Sequence, residues 1–97
     1  MPLKPVQKRF LRGLAHNLKP VVIVGSSGLT ESVLSEIEIS IEHHELMKVR
    51  INAADRETRQ AYINNICEKT GAELVTSIGH IAVIYRAADE PIIKLPR

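Results

Sequence analysis

The sequence predicts a single α/β (α+β) domain in which helices pack against a four-stranded mixed sheet. Three observations predict it. Two segments with helical periodicity each stand between short β-branched runs. The last two such runs are only two residues apart. A chain of 97 residues has room for one modest core and not for two. The element order is α-β-α-β-α-β-β, and the economical arrangement is two layers. Each strand-helix-strand unit imposes a right-handed crossover between parallel strands, and the closing hairpin must add an antiparallel one.

Lys4–Leu18 reads as the first helix. Val6, Phe10 and Leu14 recur every four residues with Leu11 and Leu18 beside them, so this stripe is predicted to face the core. Lys4, Lys8, Arg12 and His16 recur likewise, displaced by roughly 200° around the helix. Lys19-Pro20 ends it, since a residue before proline disfavours the helical region. Val21–Val24 is continuously apolar, as expected of a strand buried on both faces. After Gly25-Ser26-Ser27-Gly28, Thr30 is a natural N-cap with Glu31 in the first turn. Val33, Leu34, Ile37 and Ile41 then mark an inward face, and Glu31, Glu38, Glu42 and Glu45 an outward one. The alternation Ile37, Ile39, Ile41 also fits a strand, but the acidic spacing and the cap favour a helix.

Leu46–Ile51 alternates, with Met47, Val49 and Ile51 on one face and Lys48 and Arg50 on the other. Asp55 can cap a third helix running to Thr70, with Ile63, Ile66 and Cys67 inward and Gly71 at the stop. Glu73–Ile78 and Ile81–Arg86 form a hairpin about Gly79-His80. The expected organisation is one domain over residues 1–97, with its core in 3–86 and a tail in 87–97.

An apolar content of 44% and a charged content of 25% are ordinary globular values and exclude wholesale disorder. The longest apolar run, Val21–Val24, is far too short to cross a bilayer, and no signal-peptide pattern opens the sequence. A cytoplasmic protein with no membrane partner is expected. One cysteine permits no intramolecular disulfide. The net charge of +2 conceals a segregation. Residues 1–20 hold Lys4, Lys8, Arg9, Arg12 and Lys19 with no acid, whereas 21–47 hold five glutamates with no Lys or Arg. A basic side of this kind suits a polyanionic partner. It also suits a merely solvated face.

The G-x-x-G of Gly25, Ser26, Ser27 and Gly28 lacks the lysine of a Walker loop, since Leu29 follows it, and holds only half of the dinucleotide fingerprint. What remains is a backbone that an anion can approach closely, with two hydroxyl donors beside it. A clamp on a nucleic-acid backbone is one use of such a loop; a purely steric turn is the other. Lys48, Arg50, Arg56 and Arg59 are further cationic candidates. Nothing points to an enzyme, a cofactor, a metal or a small-molecule substrate. Cys67 has core spacing, and the adjacent His43 and His44 point about 100° apart on a helix. Phe10, Tyr62 and Tyr85 are the only aromatics, too few for an aromatic stacking platform.

The run from Gln7 to Ile51, "QKRFLRGLAHNLKPVVIVGSSGLTESVLSEIEISIEHHELMKVRI", followed by "DRETR" and "TGAELVTSIGHIAVIYR", resembles the bacterial YhbY family, the stand-alone form of the CRM (chloroplast RNA splicing and ribosome maturation) domain. The likeness spans about Leu3 to Arg86. The resemblance implies an RNA-binding domain with the fold of the C-terminal domain of translation initiation factor three. It also implies association with precursors of the large ribosomal subunit; relatives in plant organelles serve group II intron splicing. The family's loop falls on Gly25, Ser26, Ser27 and Gly28, and its basic helix face on Lys4, Lys8, Arg9, Arg12 and Lys19. Many relatives carry a lysine inside the G-x-x-G, where this chain has two serines. The expected partner is therefore ribosomal RNA bound by a monomer, with most of the charge on the first helix. The rival expectation is a protein-interaction module that docks through Glu38 and Glu42 on the acidic second helix.

Overall fold

The computed structural model describes residues 2–97. It contains α1 (Pro5–Ala15), β1 (Pro20–Val24), α2 (Glu31–His44), β2 (Leu46–Ile51), α3 (Arg56–Thr70), β3 (Glu73–Ile78) and β4 (Ile81–Tyr85). The four strands form one sheet in the order β1-β2-β4-β3. β1 and β2 are parallel, as the α2 crossover requires, and β4 is antiparallel to both of its neighbours.

Local chemistry fixes the helix ends. The Thr30 hydroxyl accepts a hydrogen bond from the Val33 N–H at 3.2 Å, and the Asp55 carboxylate accepts from the Thr58 N–H at 2.8 Å. Hydrogen bonds from the Thr58 hydroxyl and N–H hold the Asp55 carboxyl below its ordinary value. Gly71 ends α3 in the left-handed region at φ 74°. The alternation in α2 resolves as a helix: Ile37 and Ile41 are fully buried, and Ile39 is 72% exposed.

Alternate residues along β2 and β4 belong to two different apolar clusters, so helices cover both faces of the sheet. Met47, Val49, Ile51, Ala82 and Ile84 pack with Val22, Val24, Ile37, Ile41, Ile63 and Ile66 beneath α2 and α3. Leu46, Val75, Val83 and Tyr85 pack on the other face with Leu11 and Ala15 of α1. The expected two layers thus gain a partial third. Cys67 lies at the margin of the larger cluster, where burial and then the neighbouring Glu73 charge raise its thiol above the ordinary value.

Three expectations are corrected. The buried line of α1 is Leu11 and Ala15; Val6, Phe10, Leu14 and Leu18 are 38–45% exposed. Leu11 inserts into the sheet cluster and the small Ala15 one turn on lets the helix lie close to it, which turns the bulkier stripe onto the flank. β1 is buried on one face only, because α1 does not reach this edge strand: Val22 and Val24 are covered, whereas Val21 and Ile23 are 46% and 56% exposed. Glu45 does not belong to the outer acidic face. It is fully buried, and its carboxylate accepts hydrogen bonds from the N–H groups of Ala88, Ile92 and Ile93 at 2.7–2.9 Å.

Glu45 therefore fastens the segment expected as a tail. That segment has no helix or strand, yet Ile93 and Leu95 pack against the α1 cluster and the Gln7 amide donates to the Pro96 carbonyl at 3.0 Å. Glu45 adopts φ 64° and ψ −41°, a strained conformation for a residue with a Cβ. Burial pushes its carboxyl up, but the three N–H groups outweigh burial and hold it below the usual glutamate range. Burial, followed by that charge, raises the Tyr85 phenol.

Candidate nucleic-acid interface

The Gly25–Gly28 loop sits at the end of the sheet where β1 and β2 finish and β4 begins. The Gly28 N–H closes a turn onto the Gly25 carbonyl at 3.0 Å. The β2 strand leaves beside it, with the Asn52 N–H bonded to the Val24 carbonyl at 2.9 Å. The β3–β4 turn joins the same end through a bond from Ile51 N–H to the His80 carbonyl at 2.7 Å. The His80 Nδ1 also lies 3.0 Å from the Ile51 carbonyl, which requires a proton on that nitrogen.

The two glycines are not equivalent. Gly28 is buried at φ 77°, and a Cβ there would stand 2.8 Å from the Tyr62 hydroxyl oxygen. Its identity is fixed by the fold. Gly25 has an ordinary φ and nothing within 4 Å of where a Cβ would be. Ser26 and Ser27 are exposed beside it. The half of the loop that faces solvent is thus Gly25-Ser26-Ser27.

The basic residues of α1 lie elsewhere. Its N-terminus stands over the start of β3, where the Leu3 N–H donates to Glu73 at 2.8 Å. Its C-terminus reaches β2, where the Lys48 amine approaches the His16 carbonyl at 3.5 Å. Gln7 lies on the flank turned to the C-terminal segment, and Lys8 and Arg12 fall on the opposite flank of a 3.6-residue turn. Lys4, the N-cap of α1, and Lys19, just before β1, stand at the far end of the sheet. The five residues of β1 separate Lys19 from Gly25, a span of about 20 Å along the strand.

The predicted cations of α1 and the predicted loop therefore occupy opposite ends of the sheet, the loop leading into α2 on the other face. Lys48 and Arg50 lie between them on the α1 side of β2, opposite in register to Val83 and Ile81. The Arg50 Nε donates to the Asn52 side chain at 3.0 Å, which steadies the guanidinium. Among the described residues the only salt bridges are those of Arg86 to Glu38 at 2.8 Å and to Glu42 at 3.0 Å. Lys4, Lys8, Arg9, Arg12, Lys19, Lys48 and Arg50 are consequently uncompensated, and Arg86 is not. Arg59 is spent on structure: it donates to the Ala53 and Ala54 carbonyls at 3.0 and 3.4 Å and so holds the loop before α3. No group of His, Cys, Asp and Glu able to hold a metal occurs among the described residues. No helix among them is long and apolar enough to cross a membrane.

The family model for the CRS1/YhbY (CRM) domain matches residues 3–86. The chain belongs to this family. A Haemophilus influenzae relative named an RNA-binding protein is 56% identical over 95 residues, covering 98% of this chain and 96% of its own. A Pseudomonas aeruginosa relative named a probable RNA-binding protein is 42% identical, over 94% of this chain and 88% of its own. The solution structure of a Staphylococcus aureus protein, itself described as a candidate RNA-binding protein, matches this CRM chain with a TM-score of 0.86. That pair is 36% identical over 98% of this chain and all of the other. These relatives are named for RNA binding and not for catalysis. The expected mixed fold and the expected family both hold.

Proposed function

We propose that this CRM domain binds RNA non-catalytically on the α1 side of the sheet and acts on ribosomal RNA during assembly of the large ribosomal subunit. The single observation that carries the reading is the unneutralised basic face: seven cations lie on one side of the sheet, none in a salt bridge among the described residues. Lys8, Arg9 and Arg12 supply charge from α1, and Lys48 and Arg50 continue it along β2. Lys4 and Lys19 extend it at the far end, and Gly25, Ser26 and Ser27 lie along the backbone at the near end, with the buried Gly28 holding their turn. Contacts of this kind position an RNA and contribute most of a salt-sensitive affinity. The relatives named for RNA binding support the same reading. Docking of a protein on Glu38 and Glu42 is less favoured, since Arg86 already occupies both carboxylates.

The test is titration of a single-stranded oligoribonucleotide at several salt concentrations. Neutralising four or five phosphates gives a log–log slope of about −3. Lys8→Gln with Arg12→Gln should make it shallower by about one unit. A slope near zero in the unaltered protein overturns the electrostatic reading. Crosslinking in cells followed by sequencing of the attached RNA tests the ribosomal assignment; recovery without enrichment of large-subunit precursor RNA overturns it.

A further inference from the structure

We infer that the half of the sheet left uncovered by α1 is a platform for nucleobases, so that the RNA lies across the strands with its bases on aliphatic side chains. This rests on the RNA reading above and says where the non-phosphate part of the ligand goes. The observation is one row of side chains in register. Ile23 stands opposite Arg50, Arg50 opposite Ile81, and Ile81 opposite Ile78. Directly opposed residues share a sheet face, so one row crosses all four strands over about 14 Å. Its ends are bare: Ile23 is 56% and Ile78 71% exposed. Single exposed isoleucines are common, whereas here Ile78 adjoins Ile81 and Ile23 continues the row beyond Arg50 on the same face.

The surroundings of the row choose the occupant. Arg50 stands in the middle of it, steadied by Asn52, and Lys48 lies two residues back on the same face. A guanidinium plane among aliphatic groups offers a base both stacking and a nearby cation for its phosphate. Gly25 follows Ile23 by two residues, so a backbone held at the loop has its bases within reach of the row. A second copy of this chain fits poorly, because a two-fold pairing of the face would bring Lys48 and Arg50 against the same cations. The scarcity of aromatics is consistent with such a platform, which grips every base weakly and none specifically.

The experiment compares Ile23→Thr/Ile78→Thr with the unaltered chain; threonine keeps the β-branch and so the strands. The probes are a mixed-sequence single-stranded oligoribonucleotide and an inorganic polyphosphate of equal charge, each titrated at several salt concentrations. The double variant should lose roughly tenfold in RNA affinity, about two exposed isoleucines' worth of apolar contact, with an unchanged salt slope. Its polyphosphate affinity should not move. Equal losses for both probes, or RNA binding as tight as in the unaltered chain, overturn the platform while leaving RNA binding intact. Failure of the unaltered chain to bind either polyanion overturns the RNA reading and the platform with it.

Discussion

The two faces of the sheet use the same residue types to opposite ends. Beneath α2 and α3, Val22, Val24, Ile37, Ile41, Met47, Val49, Ile51 and Ile66 are all but sealed from solvent. On the α1 face, Leu46, Val75, Val83 and Tyr85 are covered and Ile23 and Ile78 are not. Covering a sheet face takes one helix per pair of strands or so, and α1 alone spans only part of it. What the difference teaches is that stability is concentrated on one side, leaving the other free to carry a surface that costs stability.

The sharpest way to break that contrast is a pair of truncations. Ile66→Ala, inside the closed face, should cost about 2–5 kcal/mol in chemical denaturation. Ile23→Thr, on the open face, should stay within about 0.5 kcal/mol; a large loss there would mean that the row is core after all. Next in size is the loop. Gly28→Ala meets both an unfavourable φ and the Tyr62 hydroxyl, and should cost about 1–3 kcal/mol, partly recovered by Tyr62→Phe. Gly25→Ala should leave the melting temperature unchanged and, if the backbone of RNA passes there, weaken binding. Smaller again is the effect of acid on the far side. The Glu45 carboxyl is held below its unfolded value, so its contribution is complete above the ordinary glutamate pKa and is lost as pH falls through the lower folded value. Protection against hydrogen exchange at Ala88, Ile92 and Ile93, relative to the intrinsic rate at each pH, should fall over that acidic window, and Glu45→Gln should flatten the dependence.

Much of this architecture was legible because it is local. The caps at Thr30 and Asp55, the Gly71 stop and the two-residue hairpin each need only a few neighbouring residues. Misreadings arose where the answer depends on distant chain. In α1, the stripe Val6-Phe10-Leu14 outweighs Leu11-Ala15 in apolar bulk, and only the approach of the sheet decides which turns inward. Glu45 continues a run of outward glutamates, and nothing nearby signals that amides more than 40 residues on will bury it. The candidate site is split in the same way. The loop and the basic helix stripe were plain in the sequence, but their separation to opposite ends of the sheet was not. Lys48 and Arg50 become the link only once β2 is seen between them.

The bond from Gln7 to Pro96 joins residues 89 positions apart, and Leu3 is tied to Glu73 nearby. Both extremities of the described chain therefore lie at the end of the sheet away from Gly25 and the Gly79-His80 turn. A fluorophore, a surface tether or a fused protein attached after Arg97 would sit on the α1 side of the sheet, beside Lys4 and at the end opposite the loop and the isoleucine row. The same closeness makes the domain a good subject for circular permutation: a short linker from the Pro96 region to Leu3, with new ends opened at the hairpin turn, would show whether the platform survives a cut along its own border.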